Sequence, residues 1–302
     1  MNGTEQARPF RIAHSALRIR GCGVRLVAVL GGGGAKAFAH IGVYRALEEA
    51  GLVPAHIVGT SLGAVMGAAF AAGLTSRAVA GVARGFTRND VAPLDFLSLV
   101  TGVFASNLLE PDALKQTIAR LVPARWFADL RLPLTVTATD LDTGALALFG
   151  ALGRTEVPLQ DALYASCALP LYYPPITIAT RRYADGGLRA VLPLEVARAI
   201  PCDLVVAVHV GPGFDEDSVP PDRHTAIPPL VRAHGEAVRI MMAAQTEQAI
   251  AAWPADGPRL VVVRPVKEKE ATFALEQGER YIEAGYATAK EALNSWRSSA
   301  RI

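Results

Sequence analysis

Residues 57–64 read Ile57-Val58-Gly59-Thr60-Ser61-Leu62-Gly63-Ala64, a short apolar run that leads into a G-x-S-x-G turn. Small residues at Gly59 and Gly63 allow a strand to turn sharply into a helix and push the serine hydroxyl outward. The strand before this motif and the helix after it are the context that a nucleophile elbow requires. The stretch therefore predicts an α/β fold in which Ser61 is a nucleophile at the end of a strand.

A glycine-rich loop begins 30 residues before Ser61 and reads Gly31-Gly32-Gly33-Gly34-Ala35-Lys36. It follows the apolar run 25–30, which is typical of a strand buried on both faces. A structural turn needs one or two glycines, so four in a row indicate that a ligand comes close to the backbone. The loop's N–H groups would suit the oxyanion that forms when a serine attacks a carbonyl.

Two nucleotide-binding interpretations of this loop have less support in the sequence than the oxyanion interpretation. The spacing of Gly32, Gly34 and Ala37 fits a relaxed dinucleotide pattern, but the next strand ends at Gly59 without the acidic residue that a ribose needs. A P-loop would need Ser or Thr after Lys36. A nucleotide-binding protein stays open as an alternative that a thermal-shift test would detect.

Composition favours one domain over residues 23–302, preceded by a basic arm at residues 1–22. The chain has 302 residues, of which 51% are hydrophobic, and a net charge of +2, so it can bury a large core. Its Lys and Arg residues are spread out, which argues against a nucleic-acid partner. The arm carries four arginines and could touch an anionic surface, although a solvated tail is the simpler interpretation.

Cysteine usage and hydropathy predict a cytoplasmic protein. The three cysteines lack CxxC spacing, and no secretory apolar segment is found at the start of the sequence. Residues 57–74 are apolar enough to span a bilayer, but they contain the elbow and lack aromatic anchors. We therefore expect them to form a buried strand, turn and helix.

The hydrophobic periodicity alternates between strands and helices, which predicts a three-layer α/β/α fold with a mostly parallel sheet. Residues 87–109 are irregular and apolar, and the segment Phe96 to Leu109 is either an acyl-chain wall or a cover of the core. Residues 211–228 are predicted to be a surface loop. The predicted strands cover residues 25–30, 56–58, 134–140, 145–150, 204–210 and 260–263, and the predicted helices cover residues 37–50, 62–72, 76–86, 111–121, 229–252 and 277–296.

Two residues are candidates for the base that accepts the serine proton. His209 ends a predicted strand, and the order Ser, Asp, His would match an α/β-hydrolase triad. Those folds, however, have several strands before the elbow. Asp185 ends another strand and is followed by Gly186-Gly187, a tight turn from which a carboxylate can project into a pocket. Structural roles are expected for His40, His56, His224 and His234.

Taken together, these motifs resemble the patatin-like phospholipase family, in the family's order and over about residues 24–210. Gly31 to Lys36 resembles its oxyanion loop, Gly59 to Gly63 its elbow, and Asp185-Gly186-Gly187 its D-G-G/A motif. A further block is Ala165-Ser166-Cys167-Ala168-Leu169-Pro170 with Pro174-Pro175. One departure is Ala37, which stands where the family usually has glycine.

The resemblance implies a Ser-Asp dyad, with Ser61 as nucleophile and Asp185 as base. It implies an oxyanion hole formed by the N–H groups of Gly32, Gly33 and Gly34. Lys36 stands where the family has Arg or Lys, and we expect it to support the loop or meet a head group. Leu62 begins the helix whose positive end points at the oxyanion.

The resemblance also implies hydrolysis of carboxylic esters in lipids such as phospholipids, lysophospholipids or acylglycerols. No cofactor and no metal are expected, because acids and histidines do not cluster at ligand spacing. The expected partner is a lipid or lysolipid, with peripheral membrane contact as an option. A non-catalytic lipid-binding module and a Ser-Asp-His esterase stay open as alternatives.

Overall fold

A computed structural model describes residues 23–91, 93, 108–216, 229–269 and 274–299. The basic arm and residues 94–107 of the apolar stretch lie outside the described residues, as do Cys22, His224 and the loop from residue 217 onward. Within the described part, an eight-stranded sheet is flanked by helices on both faces. The predicted α/β architecture with a mostly parallel sheet is confirmed.

Eight strands form this sheet. Their bounds are β1 (Leu26–Leu30), β2 (Pro54–Thr60), β3 (Leu134–Asp140), β4 (Leu146–Gly150), β5 (Ile176–Ile178), β6 (Arg181–Asp185), β7 (Leu204–Val208) and β8 (Arg259–Val263). The hydrogen-bonded order is β5-β6-β3-β2-β1-β7-β8, with β4 also paired to β3. Strands β3, β2, β1, β7 and β8 are parallel, whereas β4 and β6 run antiparallel to β3.

Ten α-helices lie in the described part of the chain. They are α1 (Ala39–Glu49), α2 (Leu62–Ala71), α3 (Ser76–Ala83), α4 (Arg88–Val91), α5 (Pro111–Leu121), α6 (Leu159–Cys167), α7 (Gly187–Ala190), α8 (Leu194–Arg198), α9 (Pro229–Ala251) and α10 (Gly278–Ser299). A 3₁₀-helix over Gly34–Phe38 joins the glycine loop to α1, so the helix predicted from residue 37 begins two residues later. Helices α6, α7 and α8 were not expected from the periodicity, and α4 lies in the stretch 87–109 that was predicted to be irregular.

Strand β1 shows why the molecule has three layers. Its side chains alternate between two cores: Leu26, Ala28 and Leu30 join one hydrophobic cluster, and Val27 and Val29 join another. The first cluster includes residues of α1, α2 and α10, and the second includes residues of α8 and α9. A central parallel strand is covered on both faces in this way, which explains its uninterrupted apolar sequence.

The sheet also brings residues that are distant in sequence together along one side of strand β3. Strand β4 pairs with Thr135 to Thr139 of β3, so β2 and β6 must share the opposite edge of β3. On that edge Thr60 of β2 pairs with Thr137, and Asp185 of β6 pairs with the next residue, Ala138. The end of β6 therefore lies directly beyond the end of β2, where the elbow begins.

Candidate active site

Ser61 stands at the turn between β2 and α2 in a strained backbone conformation. Its φ is 54° and its ψ is −134°, a region that residues with a Cβ rarely adopt. The backbone N–H of Ser61 donates a hydrogen bond to Ser166 Oγ at 2.8 Å, which helps to hold the turn. A Cβ at Gly63 would lie 2.3 Å from the Leu30 carbonyl oxygen, so only glycine allows α2 to approach β1 this closely.

The Ser61 hydroxyl donates directly to the Asp185 carboxylate, across 124 residues of sequence. The distance from Ser61 Oγ to Asp185 Oδ2 is 2.8 Å, and Asp185 Oδ1 accepts the Gly187 N–H at 2.6 Å. Burial raises the pKa of Asp185 to about 6, against the opposing effect of these two hydrogen bonds. At neutral pH this group is a carboxylate that can accept a proton from the serine.

The three glycines predicted as oxyanion donors differ in whether their backbone N–H groups already have a hydrogen-bond acceptor. The Gly32 N–H donates to the Val191 carbonyl at 2.9 Å, so this predicted donor is already engaged within the protein. The N–H groups of Gly33 and Gly34 have no acceptor among the described residues. A Cβ at Gly32 would lie 3.2 Å from Ser61 Cβ, so the loop runs alongside the serine.

His40 supports the glycine loop from α1. The distance from its Nε2 to the Gly31 carbonyl oxygen is 2.8 Å, and the side chain is fully buried. Burial lowers the pKa of His40 to about 4, so the ring is neutral and Nε2 carries the donated hydrogen. This contact agrees with the expectation of a structural histidine on the helix behind the glycine loop.

Lys36 is enclosed by the protein. Its Nζ lies 3.2 Å from Glu216 Oε1 and 3.0 Å from the Glu268 carbonyl oxygen, and Glu216 also contacts Arg239 at 3.1 Å. Burial lowers the pKa of Lys36, and the Glu216 carboxylate opposes that shift. Of the two roles expected for Lys36, these contacts favour support of the loop over binding of a head group. Glu216 was not recognised from the sequence.

Leu62 begins α2, and its half-buried side chain packs against the core cluster that includes α1, α2 and α10. The Leu62 side chain therefore contributes to core packing. What Leu62 places beside Ser61 is the N-terminus of α2.

His209 and Cys167 are the other reactive side chains near the site. Burial, together with Arg264 and Lys36, lowers the pKa of His209 to about 3, and its Nδ1 has no partner among the described residues. Both carboxylate oxygens of Asp185 are occupied by Ser61 and Gly187, which does not fit a Ser-Asp-His triad. Burial raises the pKa of the Cys167 thiol well above its ordinary value, so it is not a competing nucleophile.

No three His, Cys, Asp or Glu side chains of the described residues are grouped so that they could hold a metal ion. Within the same residues, no helix combines the length and the hydropathy needed to cross a bilayer.

Comparisons with known proteins agree on one family. An uncharacterized NTE family protein of Mycobacterium tuberculosis is 34% identical over 211 residues, which cover 68% of this chain and 56% of that protein. Human patatin-like phospholipase domain-containing protein 6 is 33% identical over 202 residues, 65% of this chain but 14% of its own length. The chain thus matches about half of the mycobacterial relative.

Among solved structures, VipD from Legionella pneumophila aligns with 90% of this chain and 67% of its own, at a TM-score of 0.46 and 15% identity. The family model described as patatin-like phospholipase matches residues 28–198, which include the glycine loop, Ser61 and Asp185. Since this match covers more than half of the sequence, the chain belongs to the patatin-like phospholipase family.

Proposed function

We propose that the protein is a serine-dependent lipid acyl hydrolase that cleaves a carboxylic ester of a phospholipid, lysophospholipid or acylglycerol. The observation that carries the proposal is the 2.8 Å hydrogen bond from Ser61 Oγ to the buried Asp185 carboxylate. Membership of the family supports a lipid hydrolase in general. The dyad, the ester class and the roles of the residues below are our own assignment.

In the proposed first step, Ser61 Oγ attacks the ester carbonyl carbon while its proton passes to Asp185 Oδ2. The carbonyl oxygen becomes an oxyanion, for which the free N–H groups of Gly33 and Gly34 are the proposed donors. When the tetrahedral intermediate collapses, the ester bond breaks and Asp185 returns the proton to the leaving alcohol. Ser61 is then acylated, and the carboxylate is regenerated.

In the second step, Asp185 accepts a proton from a water molecule that attacks the acyl-enzyme. A second tetrahedral intermediate forms in the same donor site. Its collapse releases the fatty acid and transfers the proton back to Ser61 Oγ. The two steps need one base and one anion site, and they involve neither a histidine nor a cofactor.

The test is covalent labelling with a fluorophosphonate probe, mapped by mass spectrometry, beside an ester-turnover assay. We expect the label on Ser61, and a loss of more than about a hundredfold in kcat for Ser61→Ala. Ser298→Ala, an exposed serine of α10, is the matched control. Label on another residue, or more than about a tenth of the activity in Ser61→Ala, would contradict the assignment.

The proposed location is the cytoplasm, with peripheral contact to a membrane. The two described cysteines, Cys167 and Cys202, are free thiols, which suits a reducing compartment. A lipid substrate requires access to a membrane or to monomeric lipid. Fractionation of cells into soluble and membrane pools at low and high salt would test this location.

A further inference from the structure

The block that begins at Ala165 has no part in the proposed reaction, although it lies beside the Ser61–Asp185 pair. It covers the end of α6 and the turn that follows, and α6 packs against β3 and β6. Within this block the Ser166 side chain is fully buried. A buried hydroxyl is normally hydrogen-bonded, so the partner of Ser166 indicates what the block contributes.

The partner of the Ser166 hydroxyl is the backbone of the proposed nucleophile. Ser166 Oγ accepts the Ser61 N–H at 2.8 Å, and no other acceptor for that N–H is found among the described residues. The carbonyl oxygen of Ser61 is fixed by α2, since it accepts the N–H groups of Ala64 at 2.8 Å and Val65 at 3.3 Å. Ser166 therefore holds the N–H side of the turn, as α2 holds the carbonyl side.

This contact matters because the Ser61 backbone is strained. A φ of 54° with a ψ of −134° is unfavourable for a residue with a Cβ, and such a conformation persists only where the surroundings hold it firmly. Without the Ser166 oxygen, the Ser61 N–H would lose its acceptor in a partly buried place, which favours rotation of the peptide toward another partner. That rotation would carry the Ser61 hydroxyl away from the Asp185 carboxylate.

The same end of α6 also holds the proposed base, but through backbone atoms. The Ala168 carbonyl accepts the Asp185 N–H at 3.0 Å. The Ser166 carbonyl accepts the Gly186 N–H at 3.3 Å. A further support comes from Thr139, whose hydroxyl donates to the Asp185 carbonyl oxygen at 2.8 Å. Removal of the Ser166 hydroxyl would therefore release the nucleophile and leave the base in place.

We propose that Ser166 is a positioning residue for the Ser61–Asp185 pair. Its Oγ keeps Ser61 in the strained conformation that directs the serine hydroxyl at the carboxylate, and it contacts neither the ester nor the transferred proton. This inference rests on the proposed function and deepens it, because it identifies a residue on which the rate of acylation depends. A misplacement of about 1 Å at a reacting atom can lower a rate about a hundredfold.

The first measurement requires no turnover. Hydrogen exchange of the Ser61 amide, followed by NMR on protein labelled with ¹⁵N-serine, reports whether that N–H has kept its acceptor. Ser166→Ala should accelerate this exchange at least about tenfold.

The matched control is Ser76→Ala, which removes another buried serine hydroxyl, one that donates to Glu48. Ser76 lies beyond the far end of α2, a helix of 10 residues that is about 15 Å long. The control should therefore leave hydrogen exchange at Ser61 unchanged.

The second measurement is hydrolysis of a neutral short-chain ester. Ser166→Ala should lower kcat roughly ten- to a hundredfold and leave KM within about twofold of the parent value. The hydrogen bond from Ser61 lowers the pKa of Asp185, so a misdirected hydroxyl should also shift the pH at which kcat/KM levels off upward from about 6. Ser76→Ala should lower the melting temperature as much as Ser166→Ala does, yet change none of these kinetic quantities.

Unchanged exchange at Ser61, or a kcat within about twofold of the parent value, would overturn the proposal if Ser166→Ala is folded. An equal kinetic loss in Ser76→Ala would also overturn it, since the effect would then be one of general stability. If Ser166→Ala does not fold, Ser166→Cys repeats both measurements, because its sulfur fills a similar space but accepts hydrogen bonds weakly. A parent protein without ester turnover would contradict the proposed function instead, and the exchange measurement would still decide whether Ser166 holds the turn.

Discussion

The buried carboxylate of Asp185 has opposite consequences for catalysis and for stability. Its pKa of about 6, compared with an ordinary 3.8, means that folding at neutral pH carries a penalty of about 3 kcal/mol for this group. Asp185→Asn keeps the shape and can still accept the Gly187 N–H, but an amide NH2 takes the place of the oxygen that accepts the Ser61 hydroxyl proton, and the charge is removed. We expect the variant to lose at least about two orders of magnitude in kcat and yet to gain roughly 1–3 kcal/mol in urea unfolding.

This gain has a defined pH dependence. Below pH 3.8 both states of the wild type are protonated, and between 3.8 and about 6 the folded state keeps a proton that the unfolded state has released. The advantage of Asp185→Asn over the wild type should therefore grow through this window and be constant above it. An advantage that is absent at pH 7.5 would mean that the carboxylate is solvated.

The same pKa predicts the pH profile of the reaction. If Asp185 is the base, kcat/KM should rise tenfold per pH unit below about pH 6 and level off above it. Hydrolysis of a neutral short-chain ester, whose own ionisation does not change, gives the measurement. His209→Ala should leave unchanged the pH at which the kcat/KM profile levels off, which we call the break. A break near pH 4, or one that disappears in His209→Ala, would contradict the assignment of Asp185.

At the scale of elements, the contact between α2 and β1 depends on Gly63. A Cβ there would lie 2.3 Å from the Leu30 carbonyl and 2.5 Å from the Gly31 carbonyl, and backbone atoms cannot easily move away. We expect Gly63→Ala to cost roughly 3 kcal/mol or more and to disrupt the glycine loop. Chemical unfolding and probe labelling measure the two effects.

Gly81 offers a matched control for this substitution. It also lies within a helix, α3, but a Cβ there meets nothing within 4 Å. Gly81→Ala should stabilise the protein by about 0.5–1 kcal/mol through helix propensity. Similar effects of the two substitutions would show that helix propensity, and not the close approach to β1, governs Gly63.

Lys36 connects the 3₁₀-helix after the glycine loop to the segment at Glu216. Lys36→Met leaves the buried Glu216 carboxylate with Arg239 alone and should cost roughly 2–4 kcal/mol. Turnover of a phospholipid and of a neutral short-chain ester should fall by the same factor, because the ammonium group is enclosed. Adding Glu216→Gln should restore part of the stability. A larger loss on the phospholipid would instead indicate contact with a head group.

Local sequence signals predicted the elements around the elbow well, because glycine turns and apolar runs are short-range features. Contacts between distant residues were not predictable. The Gly32 N–H is occupied because Val191 lies against it, and Lys36 meets Glu216 because the chain folds back 180 residues later. The tandem placement of β2 and β6 along β3 likewise depends on pairing that periodicity does not encode. The pairing of Ser61 with Asp185 could be expected only through the family resemblance.

At the scale of the molecule, three neutral histidines are buried in different regions of the part of the chain that the structure describes. Burial lowers the pKa of His40 and His56 to about 4 and of His209 to about 3. Below pH 6.5 these imidazoles bind protons in the unfolded chain but stay neutral in the folded protein. The free energy of unfolding therefore falls as the pH falls. Protonation of Asp185 offsets part of this loss. Urea unfolding should show a net decrease of roughly 2–4 kcal/mol from pH 7.5 to 5.5, and a flat profile would mean that these rings are hydrated.

The bond from Gly31 N–H to the Val208 carbonyl has a consequence for the order of events during synthesis. Strand β7 lies after every residue assigned to catalysis, and Val210 also packs against Gly33. A nascent chain that has just emerged to residue 190 holds both Ser61 and Asp185 but lacks the strand that fixes the glycine loop. We therefore expect a ribosome-bound chain to react with a serine probe only after β7 has been translated, so the time at which labelling begins would report the pairing of β7 with β1.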